Sequence, residues 1–304
     1  RVGLAIASAI ACGLTYMLGK QLFNHTTGLV AGIISWVYPF FLLLVYLPLT
    51  EGLSILLSLG LLTLVYSDLS AERKKTRWKE IWIGVVFGLA LLNKTTNIAL
   101  FPCILVWDLF LLSGSRKQRF ARLPVVVMIA GGLILPWAIR NYALIGTLTP
   151  VNSNGGWTFY LGNNPYTEQN LAALEQGRTN GWIPPKEVFQ PFADLSFGDT
   201  KAWEKRSREL GYAFIREHPG KFLSFALRKL KIFWSPYQNL LDQITWYPLV
   251  LFSIIGLCCS FAAWKQHVIL YVLILTTMSI PILFTAMPRF RAPIMPIIVI
   301  YSAA

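Results

Sequence analysis

Residues Arg122–Tyr142 read RLPVVVMIAGGLILPWAIRNY. No charged side chain falls between Arg122 and Arg140, so no turn of a helix built here would offer the polar face that a water-exposed surface helix needs. A crossing of the hydrocarbon core takes about 20 mostly apolar residues, and Leu123–Ile139 nearly fills that length. The run closes on Pro136-Trp137 and then Arg140-Asn141, the mix of aromatic and basic residues typical of a membrane boundary.

Working outward, the pattern repeats. Val2–Gly19, Leu29–Leu49 (with Pro39 inside), Gly52–Leu69, Ile81–Leu92, Ile98–Leu112, Tyr247–Ala263, Val268–Met287 and Ala292 onward are further apolar runs. The polar knot Asn93-Lys94-Thr95-Thr96-Asn97 separates two that are short. The whole chain of 304 residues is 55% hydrophobic and 13% charged, with mean hydropathy +0.54. A soluble domain carries about 25% charged residues. Half that charge leaves too little polar surface to face water, and a bilayer removes the requirement.

The net charge of +13 does not point to nucleic acid, because Lys and Arg gather in short loops between apolar runs. Ser70–Glu80 holds Arg73, Lys74, Lys75, Arg77 and Lys79; Ser113–Arg122 holds Arg116, Lys117, Arg119 and Arg122. The positive-inside rule makes both cytoplasmic. Alternation then puts Lys20–Gly28 and Trp264–His267 inside. It puts Thr50-Glu51, Asn93–Asn97, the insert Arg140–Trp246 and Pro288–Arg291 outside. The expected organisation is therefore an all-α polytopic membrane protein: helices over 1–139, an extracytoplasmic, mixed but mainly helical domain over 140–246, and helices again over 247–304. Because Arg1 directly precedes an apolar run, a segment upstream is expected, and the chain reads as N-terminally truncated.

Within the insert, Asn152–Gly181 is rich in Asn, Gly, Thr and Pro and predicts turns and short extended pieces. Thr200–Glu217 predicts a helix with Thr200 as N-cap and Pro219 as its stop. Gly220–Trp234 places Phe222, Leu223, Phe225, Ala226, Leu230 and Phe233 to one side and Lys221, Arg228, Lys229 and Lys231 to the rest. Such a helix fits either the membrane interface or the core of the inserted domain.

Familiar site signatures are missing. There is no Gly-rich phosphate loop, no His/Cys/Glu cluster at metal spacing, and the three histidines are dispersed. The four cysteines all lie in apolar stretches, where packing explains them better than disulfides. What stands out is ionisable residues at helix ends on the outer side. Glu51 opens a helix after Pro48 and is either a carboxylate favoured by the helix dipole or one facing a cavity. Lys94, Arg140 with Asn141, and the pair Arg289 and Arg291 set cations at headgroup depth. There they suit either lipid anchoring or capture of a phosphate.

The ordered phrases resemble a family. Pro48, Thr50 and Glu51 open a helix; Gly84–Lys94 reads GVVFGLALLNK; Leu135–Tyr142 reads LPWAIRNY. Asn154-Gly155-Gly156, Leu161-Gly162-Asn163-Asn164-Pro165, His218-Pro219 and Phe290-Arg291-Ala292-Pro293 follow. Together they resemble the polytopic GT-C glycosyltransferases, in the protein-mannosyltransferase and aminoarabinose-transferase group, and Pro-Trp-x-x-Arg-Asn with Gly-Asn-Asn-Pro is the more specific part. The resemblance implies a cell-envelope enzyme of a prokaryotic plasma membrane. It would move a sugar from a polyprenyl-phosphate donor to a protein, lipid or glycan acceptor, without cofactor or metal. It also implies a main catalytic carboxylate in a loop after the first helix of the family, upstream of Arg1 here, with Glu51 as a supporting carboxylate. Lys94, Arg140, Asn141, Asn154, Asn163, Asn164, Arg289 and Arg291 are the implied binders of substrate and lipid phosphate. A transporter or flippase of lipid-linked sugars is the alternative; the absence of an internal repeat and the large insert count against it.

Overall fold

The computed structural model describes residues 2–46, 49–67, 78–111, 122–146, 149, 151–177, 183–196, 198–236 and 240–304. Pro48 and most of the two basic loops that orient the chain lie outside the described residues.

In chain order the helices are α1 (Val2–Leu22), α2 (His25–Val37), α3 (Pro39–Tyr46), α4 (Thr50–Tyr66), α5 (Trp78–Asn93) and α6 (Phe101–Val106). Then come α7 (Arg122–Ile145), α8 (Gly155–Gly162), α9 (Thr167–Glu175), α10 (Thr200–Glu217), α11 (Pro219–Phe233), α12 (Leu240–Ser260), α13 (Trp264–Leu283) and α14 (Met295–Ala303). Short 3-10 segments join several of them, and no strand occurs among the described residues. The protein is an all-α integral membrane protein. Among the described residues, three stretches are long and apolar enough to cross a bilayer: α1, α7 and the 44-residue run Leu240–Leu283. The pair α2–α3, bent by 50°, makes a fourth when counted as one broken span.

The chain divides into two compact units. The first comprises 1–135, 239–277 and 292–304. Its core is α14, where every residue from Met295 to Tyr301 is buried. A helix that is apolar all round belongs inside its unit, and this one has no polar stripe to present. Gly256 of α12 admits α14 closely, since a Cβ there would stand 2.0 Å from the Tyr301 carbonyl oxygen. Gly84 and Gly88, four residues apart on α5, do the same for α7 at Val126 and Ala130. Outward, α1, α2 and α12 expose Ile6, Ile10, Ile33, Trp36, Leu251 and Phe252, the surface expected of helices bathed in lipid. The bend between α2 and α3 falls where Pro39 forces Tyr38 into extended backbone (φ −67°, ψ 128°).

Pro136 lies inside α7, which runs past the expected end at Ile139 to Ile145. One expected break is helical instead. At Trp264–His267, read as a loop, only a 3-10 turn at Phe261–Ala263 separates α12 from α13. That segment has no Gly or Pro, and a lone basic residue is weak evidence for a turn.

The second unit comprises 136–238 and 278–291. Asn152–Gly181, expected to be turns and extended pieces, instead holds the helices α8 and α9. The period that decides it is present in the sequence: Gly156, Phe159 and Tyr160 stand at i, i+3 and i+4, and all three are buried. The start of α8 is fixed from α10, whose Glu204 carboxylate accepts the Gly156 and Trp157 amides at 2.7 and 3.3 Å. Helix α10 is capped one residue earlier than expected. Asp199, not Thr200, accepts the Ala202 amide at 3.0 Å, a carboxylate being the better partner for a helix N-terminus. Pro219 ends α10 and also begins α11 as its first residue, where a missing N–H costs nothing. Leu171, Leu174, Phe214, Phe225, Ile232 and Ala286 form one apolar core of this unit.

Candidate active site

Helix α4 begins at Thr50 with Leu49 at its N-cap and no side-chain cap. Glu51, in the first turn, sits where the dipole favours a carboxylate, yet it is only 4% exposed. Facing it, α5 ends at Asn93, and Lys94 turns into extended backbone (φ −160°, ψ 126°). This exit brings the Lys94 Nζ to 3.0 Å from Glu51 Oε1. The other carboxylate oxygen accepts from Thr50 Oγ1 at 3.3 Å.

The polar knot supplies the rest of the frame. Asn93 donates from Nδ2 to the Thr50 carbonyl at 3.1 Å and to Ser54 Oγ at 2.8 Å. Asn97 donates to the same Ser54 oxygen at 3.2 Å and to the Ala90 carbonyl at 2.7 Å, holding the end of α5. The start of α4 and the end of α5 are thus stitched by side chains from both. Lys94 keeps 22% of its side chain exposed, so the cation can meet something beyond its carboxylate. Glu51 and Lys94 stand out separately in the sequence; the structure makes them one ion pair.

The remaining candidates lie in the second unit. Arg140 is exposed, 4.7 Å above the Trp137 ring, and donates to Asn141 Oδ1 at 3.3 Å. Asn141 is buried and its Nδ2 holds the carbonyls of Thr149 and Val151 at 3.0 and 3.2 Å. Trp137 Nε1 holds the same Val151 oxygen at 3.0 Å. Spacing of i, i+3 and i+4 puts these three side chains on one helix face, where they fix the chain after α7. Asn154 is exposed at the start of α8. Asn163 and Asn164 are fully enclosed, and their amides bind Phe159, Leu283 and Tyr160 carbonyls at 2.8 Å each. Arg289 is partly exposed, 5.7 Å over the Phe290 ring. Arg291 is enclosed, its Nη1 donating to the carbonyls of Phe233 (2.9 Å) and Ser235, where α11 ends.

Several residues escaped the sequence reading. Ser54, Asn93 and Asn97 are ordinary polar residues until both helix ends are drawn together. Asp108 and Asp242 are buried carboxylates, the latter accepting from Tyr38 Oη at 3.2 Å. Asp108 stands between Trp107 and Leu109, and Asp242 opens an apolar helix after Leu240-Leu241; an acid in such a setting is itself a signal. Lys229, read as outward, is buried in the second unit. Among the described residues no three His, Cys, Asp or Glu gather as a metal site would.

Comparison with known proteins agrees with this architecture. Residues 1–139 match the family described as dolichyl-phosphate-mannose-protein mannosyltransferase. The structure superposes on the crystal structure of the Archaeoglobus fulgidus oligosaccharyltransferase, solved with zinc and sulfate, at a TM-score of 0.53 and 15% identity. That match covers 99% of this chain and 36% of the archaeal one. The fold is of the GT-C type. The chain spans about a third of the length of that GT-C protein, so the likeness concerns architecture. A comparison with curated protein sequences returned no match.

Proposed function

We propose that this chain is part of a GT-C membrane glycosyltransferase that moves a sugar from a polyprenyl-phosphate donor to a protein, lipid or glycan acceptor at the extracytoplasmic face. The observation that supports it most is the pairing of buried Glu51 with partly exposed Lys94 at a helix start, framed by Thr50, Ser54, Asn93 and Asn97. Charge set at the end of apolar helices is costly and is retained where it serves a site.

In this reading the acceptor hydroxyl loses its proton to a carboxylate as its oxygen bonds to the anomeric carbon. The bond from that carbon to the phosphate oxygen breaks, and the polyprenyl phosphate leaves. Glu51 is the supporting carboxylate that orients the acceptor. Lys94, partly exposed, stabilises charge on the phosphate. Arg140 and Arg289, the more accessible guanidinium groups of the second unit, are phosphate binders too, with Asn141 next to Arg140 in sequence and Asn154 at the start of α8; Asn163, Asn164 and Arg291 support that unit from within. The full-length protein in proteoliposomes, given a polyprenyl phosphate carrying radiolabelled sugar and an acceptor extract, should pass label to the acceptor. Movement of labelled lipid between leaflets with no transfer would favour the flippase instead.

A further inference from the structure

Helix α11 divides its faces in a way that its sequence conceals. Phe225, Lys229, Ile232 and Phe233 point into the second unit, while Leu223 and Leu227 are 62% and 61% exposed. A buried lysine and two bare leucines on one amphipathic helix invert the simple expectation that apolar side chains turn inward. At about 100° per residue, Leu223 and Leu227 lie within about 40° of each other. Exposed Lys231 and Ser224 come next around the helix, then Arg228 and Lys221. The outward face is therefore half leucine and half basic.

We infer that this outward face of α11 rests in the headgroup region of the bilayer, with Leu223 and Leu227 dipping toward acyl chains and Lys221 and Lys231 on anionic lipid phosphates. Charge selects this occupant: α11 carries four basic residues and no acidic one. Arg228 is engaged by Glu175 at 2.8 Å, a carboxylate that Lys231 also senses, and Lys221 and Lys231 both keep exposed side chains toward an external anion. Chain continuity agrees, since only residues 234–239 separate α11 from the apolar run Leu240–Leu283. Six residues reach about 20 Å at most, a short tether in sequence. Basic residues beside a short apolar strip are the composition of interfacial helices. The inference rests on the membrane placement of the chain and not on the transferase reading.

The test uses the full-length protein, with Cys12, Cys103, Cys258 and Cys259 replaced, in vesicles containing phosphatidylglycerol. A spin label is placed at Leu223→Cys, Leu227→Cys or Ser224→Cys, all exposed positions that a label does not disturb. Collision with oxygen relative to a water-soluble nickel chelate should be several-fold higher at 223 and 227 than at 224. Replacing phosphatidylglycerol with neutral lipid, or introducing Lys221→Glu with Lys231→Glu, should bring the three ratios together. Free access of the nickel chelate at 223 and 227 would overturn the inference. So would shielding of both labels from oxygen and nickel alike, the mark of a protein partner or a second copy.

Discussion

Lys94 and Lys229 are both lysines withdrawn from the surface of a largely apolar chain, and they are held in opposite ways. Lys94 faces a carboxylate at 3.0 Å and keeps part of its side chain accessible. Lys229 is 1% exposed, and among the described residues its Nζ meets neutral oxygens, Asn163 Oδ1 at 3.4 Å and the Ile282 carbonyl at 3.3 Å. Burial pushes the Lys229 amine down to about 7. Arg291 follows the Lys229 pattern, with backbone carbonyls as acceptors. The contrast separates two uses of buried charge. A cation paired with a carboxylate and open on one side can exchange partners with a substrate. A cation enclosed by carbonyls secures the chain, here residues 278–291 against α8 and α11.

If that division is right, the second unit should fail structurally before it fails catalytically. The largest effect is expected from Gly162→Ala, whose Cβ would stand 1.8 Å from the Phe284 carbonyl oxygen and 3.2 Å from Lys229 Nζ. Backbone must move to admit it. Membrane abundance should fall several-fold, and an insert-directed protease should cut the purified protein readily. Normal abundance with an intact protease pattern would show that residues 278–291 are not secured as described.

Arg291→Lys should come next. The shorter lysine carries a tetrahedral ammonium in place of the planar Nη1 group that serves both the Phe233 and Ser235 carbonyls, so about 1.5–3 kcal/mol of stability is expected to go. Heating in detergent should show an earlier loss of soluble protein by several degrees, while donor affinity changes little in the molecules that remain folded. Weakened donor binding at unchanged stability would return Arg291 to the role of a phosphate ligand.

The smallest effect is a pH slope. The unfolded Lys229 titrates near 10.4 and the folded one near 7. Between those values the unfolded chain binds more protons, so stability rises with pH across the window. Below about 7 both states are charged and the burial penalty is complete. Lys229→Met should remove a dependence of at most about 1.4 kcal/mol per pH unit, leaving the variant ahead of the parent at pH 7 and less so at pH 9. Equal slopes in thermal stability would show that Lys229 is hydrated.

How far the sequence carried the reading follows the same physics. Apolar runs are long-range signals that survive local detail, so α1, α2 with α3, α4, α5, α7 and α14 fall close to where composition put them. The GT-C fold was legible from ordered phrases such as LPWAIRNY. The junction at Trp264–His267 was misread because one lysine and one histidine do not break a helix. Asn152–Gly181 was misread because turn-rich composition outweighed the spacing of Gly156, Phe159 and Tyr160. The direction of Lys229 was not legible, since its partners lie 66 and 53 residues away in sequence. Glu51 and Lys94 were each visible, but their pairing across 43 residues needed the fold.

Glu51 and Lys94 therefore offer the most direct test, in the full-length protein, using transfer rate and membrane abundance measured together. Glu51→Gln alone leaves Lys94 beside a neutral amide and should cost both some abundance and about 10²-fold in turnover. Glu51→Gln combined with Lys94→Gln removes both charges and should restore abundance. If the pair serves sugar transfer, turnover in the double variant stays at least about 10²-fold down. A double variant that regains both abundance and turnover would contradict the account and make the pair a structural clasp between α4 and α5.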